Sequence, residues 1–204
     1  MRNFWFLFLC CAWLSASAQN TSSPRRSPYT YQGDKAAAVA APVEVSIGYS
    51  YLRANQGPAQ CGCFNMNGGD AEVAFYVDRG FSAVADLTGE HSGSVNGGPQ
   101  GLSLVSFTAG PRFTYPVRRR YAPFVQALFG GVHGFDSSFP VIPGTTGSAN
   151  SFAMLAGGGL NIRWKSHLAI RPIQADYFLT HLPNGLNDRQ NNLRLMTGIA
   201  LRLW

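Results

Sequence analysis

The sequence predicts an all-β fold, a single eight-stranded antiparallel up-and-down transmembrane β-barrel. Three observations predict it: apolar and polar or small residues alternate over eight separate segments, charge is scarce while aromatics and glycine are plentiful, and long connections alternate with short ones. Charged residues make up 13% of the chain, about half of the ~25% usual in soluble domains, too few to keep the outside of a soluble all-β domain wet. Aromatics at 13% and 23 glycines in 204 residues suit strands whose outer face meets lipid. The formal charge of +6 is scattered, apart from Arg118, Arg119 and Arg120. That is no concentrated basic face, so nucleic acid is not an expected partner.

The chain opens with Met1 and Arg2, then an apolar run, Phe4 to Leu14 (FWFLFLCCAWL). The run is too short to cross a bilayer, which takes ~20 residues. Ala16-Ser17-Ala18 supplies the small residues of a signal-peptidase site, so residues 1–18 read as a signal peptide cleaved after Ala18. Residues 19–42 are Ser/Pro/Arg-rich and then Ala-rich, with no alternation, and read as a flexible N-terminal periplasmic segment. Residues 43–204 read as the barrel domain. No other stretch reaches ~18 continuous apolar residues, so no transmembrane helix is expected.

The first strand, Val43 to Leu52, places Val43, Val45, Ile47, Tyr49 and Tyr51 on one face and Glu44, Ser46, Gly48 and Ser50 on the other. This period of two is the mark of a strand with one apolar side. The second strand is Ala71 to Val77, turned by Asp78-Arg79-Gly80, and the third is Phe81 to Gly89. In the fourth, Leu102 to Tyr115, Val105, Phe107, Ala109, Pro111, Phe113 and Tyr115 face out, while Ser106, Thr108, Gly110, Arg112 and Thr114 face in. Tyr121 to Val132, Phe152 to Trp164, Leu168 to Thr180 and Asn192 to Leu203 complete the eight. Pro172 marks a bulge in the seventh, because Arg171 and Asp176 cannot both point inward on an unbroken period of two. Long links (53–70, 90–101, 133–150, 181–191) alternate with short turns (78–80, 116–120, 165–167). This is the arrangement of an outer-membrane barrel, with loops outside and turns in the periplasm.

Ala109-Gly110-Pro111-Arg112-Phe113, Ala122 to Gly130 (APFVQALFG) and Ile170 to Tyr177 (IRPIQADY) resemble the outer-membrane β-barrel family typified by the transmembrane domain of outer-membrane protein A. The resemblance covers about Val43 to Trp204 and implies eight strands. The last strand resembles the signal read by the barrel-assembly machinery, with Gly198, Leu201, Leu203 and the terminal Trp204 in its key places. Trp204 stands one residue past the outward register, and Met196 occupies a place that is usually polar.

Glu44, Asp86, Arg112, Arg163, Arg171, Asp176 and Arg194 fall on or near the predicted interior. Eight strands leave a lumen that side chains fill, so these charges are expected to pair as a plug; a gated narrow channel for small solutes is the alternative. Cys61 and Cys63 are expected to form a loop-pinning disulfide in an oxidising compartment, although a C-x-C ring is small and strained. No metal and no cofactor is expected. Tyr49, Tyr51, Phe113, Tyr115, Tyr121, Trp164, Tyr177 and Trp204 read as interfacial girdles. His91, His133 and His181, with Ser92, Ser137 and Ser138, lie near the loop rim. They are the residues a rim-located lipid-modifying enzyme would use, but no spacing singles out a triad, and the expectation is a non-enzymatic monomer. Its expected partners are outer-membrane lipid and, during biogenesis, the assembly machinery.

Overall fold

The computed structural model describes residues 43–55, 62–95, 98–115, 120–185 and 187–203. The predicted signal peptide, the segment 19–42, Cys61 and Trp204 lie outside the described residues. Eight strands follow in chain order: β1 (Val43–Asn55), β2 (Cys63–Asp78), β3 (Phe81–Ser92), β4 (Leu102–Thr114), β5 (Tyr121–Pro140), β6 (Thr145–Arg163), β7 (Leu168–Thr180) and β8 (Gln190–Leu203). Each pairs antiparallel with its sequence neighbour, and β1 pairs with β8, so the sheet closes on itself and leaves no edge.

Alternation fixes the two faces. On β1, Ile47 and Tyr49 are exposed while Glu44, Ser46, Ser50 and Leu52 are buried. On β4, Val105 and Phe107 are exposed while Ser106, Thr108 and Arg112 are buried. Phe75, Leu87, Val125, Phe129, Ile173 and Ile199 continue the exposed apolar belt around the barrel. An apolar outside around a polar inside is the inverse of a soluble domain and suits a surrounding of lipid. Replacing Ile47 with arginine should therefore lower the folding free energy in lipid vesicles by about 2–4 kcal/mol. Unchanged stability would mean that Ile47 does not face lipid near mid-bilayer.

Arg79 and Gly80 both have positive φ (46° and 92°) in the two-residue link between β2 and β3. That is the backbone of a tight hairpin turn whose twist matches its strands, and glycine suits its second position. β7 carries the expected bulge: the four residues from Arg171 to Gln174 oppose three on β8, from Gly198 to Met196. Pro172 and Ile173 are exposed, and Arg171, Gln174 and Asp176 all turn inward.

The strands run further than the sequence pattern. β2 begins at Cys63 instead of Ala71, β5 continues to Pro140, and β6 begins at Thr145. The predicted long link 133–150 is therefore mostly paired strand, closed by residues 141–144. The reason is that apolar outward residues are demanded only inside the membrane's apolar band, ~25 Å tall. Backbone pairing continues above it with polar outward residues such as His133 and Asn150, where the period-two signal fades.

Candidate functional site: the filled lumen and the loop-end rim

All eight strands send a polar side chain into one buried network. Near the turn end, Glu72 of β2 is held by two guanidinium groups: it pairs with Arg112 of β4 through both carboxylate oxygens, and its Oε1 accepts from Arg171 Nη2 of β7 at 3.0 Å. Glu44 of β1 accepts from Arg202 Nε at 2.9 Å, from Asn161 Nδ2 of β6 at 3.1 Å and from Tyr76 Oη at 3.1 Å. Arg112 Nε donates to Gln126 of β5 at 3.0 Å, and Arg171 Nε donates to Asn161 at 3.0 Å. The Phe124 ring lies 4.2 Å from the Arg112 guanidinium carbon and 4.9 Å from that of Arg171, adding cation–π contacts to both.

Midway along the barrel, Arg194 of β8 is the hub. Its Nη2 donates to Asp86 of β3 and to Asp176 of β7, each at 3.0 Å, its Nη1 donates to Thr88 at 2.6 Å, and Asp70 lies 3.8 Å away. Two amides link the clusters: Gln174 accepts from Arg171 at 2.9 Å and donates to Asp176 at 2.7 Å, and Gln126 donates to Asp176 at 3.3 Å. Arg112, Arg171, Arg194, Glu44, Glu72, Asp86 and Asp176 are each at most 2% exposed. Charges so far from water persist only when paired and hydrogen-bonded.

Six of the seven charges expected in the lumen are there. The seventh, Arg163, lies on the inward phase of β6 but is its last residue, and it is exposed. Period two gives the face of a residue and says nothing of its depth, and at the strand's end the lumen has already opened. Glu72 and Asp70 were missed, although Glu72 is the centre of the turn-side cluster. The alternation of Glu72, Ala74 and Tyr76 against Val73, Phe75 and Val77 would have found Glu72. Asp70 fell in a segment read as loop. Cys63 opens β2 opposite Asn55 and is exposed; the disulfide expected between it and Cys61 involves a residue outside the described ones. Among the described residues no group of three or more His, Cys, Asp or Glu could hold a metal ion.

Towards the loop end the interior becomes apolar, with Leu52, Ala54, Phe64, Met66, Leu104, Leu155 and Phe178 buried together. Outside this zone tyrosines meet asparagines across strands: Tyr49 donates to Asn67 at 2.5 Å, Tyr51 to Asn65 at 2.9 Å, and Tyr177 to Asn191. Tyr115, Tyr121 and Trp164 are exposed near the turn end. Aromatics with a wet polar tip at both ends of an apolar belt mark the two interfaces. Among the rim histidines, His91 Nδ1 is 2.9 Å from Ser103 Oγ, and that hydroxyl donates to Asp136 at 2.8 Å. A serine whose proton points to a carboxylate and not to the imidazole has the reverse of the order that activates a nucleophile. His133 pairs with Asn150 at 2.7 Å, and Ser92 Oγ donates to the backbone of Ser94.

A closed eight-strand barrel with consecutive antiparallel pairing, a charged interior and an apolar girdle has close counterparts among solved structures. Neisserial surface protein A matches with a TM-score of 0.61 at 12% identity, over 79% of this chain and 97% of that one. The chain has the fold of the eight-stranded outer-membrane barrels. The attachment invasion locus protein of Yersinia pestis matches at 0.52 with 18% identity, over 78% of this chain and 97% of that one. Outer membrane protein OprG from Pseudomonas aeruginosa matches at 0.50 with 6% identity, over 78% and 94%. No family model matches the chain and no curated protein matches it. The outer-membrane barrel fold is thus shared at 6–18% identity, as expected when closure and a two-faced strand pattern are the main demands on sequence.

Proposed function

We infer that the protein is a structural, non-enzymatic outer-membrane barrel, monomeric, with a lumen plugged by its own side chains and a loop end available for surface contact. One observation carries this reading: the paired network takes a side chain from every strand, so it fills the cross-section instead of lining one wall. Eight strands give an interior just wide enough for side chains, and an open path would need this network to break. The chain is exported by residues 1–18, cleaved after Ala18, and inserted by the assembly machinery, which reads Gly198, Leu201, Leu203 and Trp204. Leu201 and Leu203 are exposed on the outward face of β8, which supports that assignment.

Refolded mature protein in a planar bilayer is expected to pass no steady current. A stable unit conductance that changes on Arg112→Ala would replace the plug with a narrow channel for small solutes. Incubation with phospholipid or lipid A is expected to give no turnover. Turnover lost on His91→Ala would establish a rim enzyme instead.

A further inference from the structure

At the loop end the barrel holds a recess of ≈ 230 Å³ that opens to solvent. Its apolar wall is built by Phe64 of β2, Leu102 and Leu104 of β4, Phe139 of β5 and Leu182 after β7, each less than a tenth exposed. Asn55, Thr180, Gln190 and Asn192 supply amide and hydroxyl groups, and none of the sixteen lining residues among the described ones is charged. The polar groups are fixed in place: Gln190 accepts from Thr180 Oγ1 at 2.9 Å and from the Leu182 N–H at 3.0 Å, and donates to the Leu182 carbonyl at 2.8 Å, while Asn192 accepts from the Asn55 N–H at 2.8 Å. Beneath the recess lie Leu52, Met66 and Leu155, and beneath them the Arg194 cluster.

We propose that this recess is a binding site for a neutral, mainly apolar small molecule carrying one or two hydrogen-bonding atoms, taken up from the cell exterior. Three features select that class. Apolar walls with a few positioned polar groups are the make-up of small-molecule sites, and ≈ 230 Å³ limits the ligand to a small one. The absence of charge in the lining, inside a barrel otherwise filled with charge, leaves a carboxylate or ammonium ligand without a partner and exposed to a desolvation cost. The closed floor makes the recess a dead end, so it retains a ligand and does not pass it on. The site goes beyond the structural role above and does not depend on whether the surface contacts a partner.

The test is a titration of the full mature barrel in lipid nanodiscs with 1-naphthol, followed by methyl NMR. Resonances of Leu102, Leu104 and Leu182 should shift and saturate, whereas those of Ile47 and Leu201 on the lipid face should drift linearly as the probe partitions into lipid. The anion 1-naphthoate should bind at least tenfold more weakly. Leu182→Asp changes a residue outside the eight strands. It should weaken naphthol binding tenfold or more while the folded band on an unheated gel is retained. Absence of saturation, which is what a recess filled by the chain's own loops would give, overturns the proposal. Equal binding of naphthoate overturns the neutral class, and unchanged binding in Leu182→Asp overturns the location.

Discussion

Replacing Arg194 with alanine is expected to destabilise the barrel by about 3–5 kcal/mol, the range seen when one member of a buried ion pair is removed. The direction follows from what is left behind. Asp86 and Asp176 each lose a 3.0 Å partner, and Asp70 loses a cation at 3.8 Å, within a wall that admits no water to replace it. Urea midpoints in lipid vesicles measure the loss. Converting Asp86 and Asp176 to asparagine in the Arg194→Ala background should recover part of it, because the uncompensated charge is then gone. An Arg194→Ala barrel of wild-type stability that conducts ions would show that the network gates a path and does not hold the fold.

Gly198→Val should prevent barrel closure, with a cost of about 3 kcal/mol or more, the upper end of the range for overpacking. Gly198 of β8 stands opposite Gly48 of β1 across the seam where the sheet closes. A Cβ at Gly198 would lie 2.3 Å from the Ile47 carbonyl oxygen and 2.7 Å from the Gly48 Cα, and one at Gly48 would lie 2.6 Å from the Thr197 carbonyl oxygen. These are backbone atoms of paired strands and cannot rotate away. The expected readout is loss of the heat-modifiable folded band for Gly198→Val and its retention for Leu193→Val, which changes an exposed residue of the same strand. A normal folded band in Gly198→Val would remove the seam contact as the reason for glycine there. The sequence pattern makes Gly198 part of an expected assembly signal, and the structure gives a separate reason for glycine there: a residue without a side chain lets the last strand meet the first.

The faces of the strands were legible because a barrel in lipid enforces period two on both sides at once. Ile47 against Glu44 and Ser46, or Phe107 against Thr108 and Arg112, leave little choice of phase. Even the bulge at Pro172 could be read, since Arg171 and Asp176 each demanded the interior. What could not be read was position along the barrel axis. Arg163 has the right phase and the wrong depth, and Asp70 sits in a strand whose start was hidden by Asn67, Gly68 and Gly69, residues that carry no apolar alternation. The recess was illegible for a related reason. Its walls come from β2, β4 and β5 and from residues after β7 that are distant in sequence, and only closure of the barrel brings them together. Ser137 and Ser138, noted as rim serines, turn out to line this recess.

The extension of β5 and β6 sets how the outer end of the molecule meets anything beyond the membrane. Twenty residues in β5 at ~3.3 Å each make a strand about 65 Å long, and a tilt of ~40° leaves about 50 Å along the axis, twice the ~25 Å apolar band. The surplus is a strand-paired arm with one irregularity between Phe135 and Phe139, and Ile142 is fully exposed at its tip. Flexible loops lose conformational freedom when they dock, at ~1–2 kcal/mol per ordered residue. Because strand pairing holds the backbone on both sides of that irregularity, a molecule docking at the tip would meet a largely preorganised surface, and association would be spared part of that entropy loss.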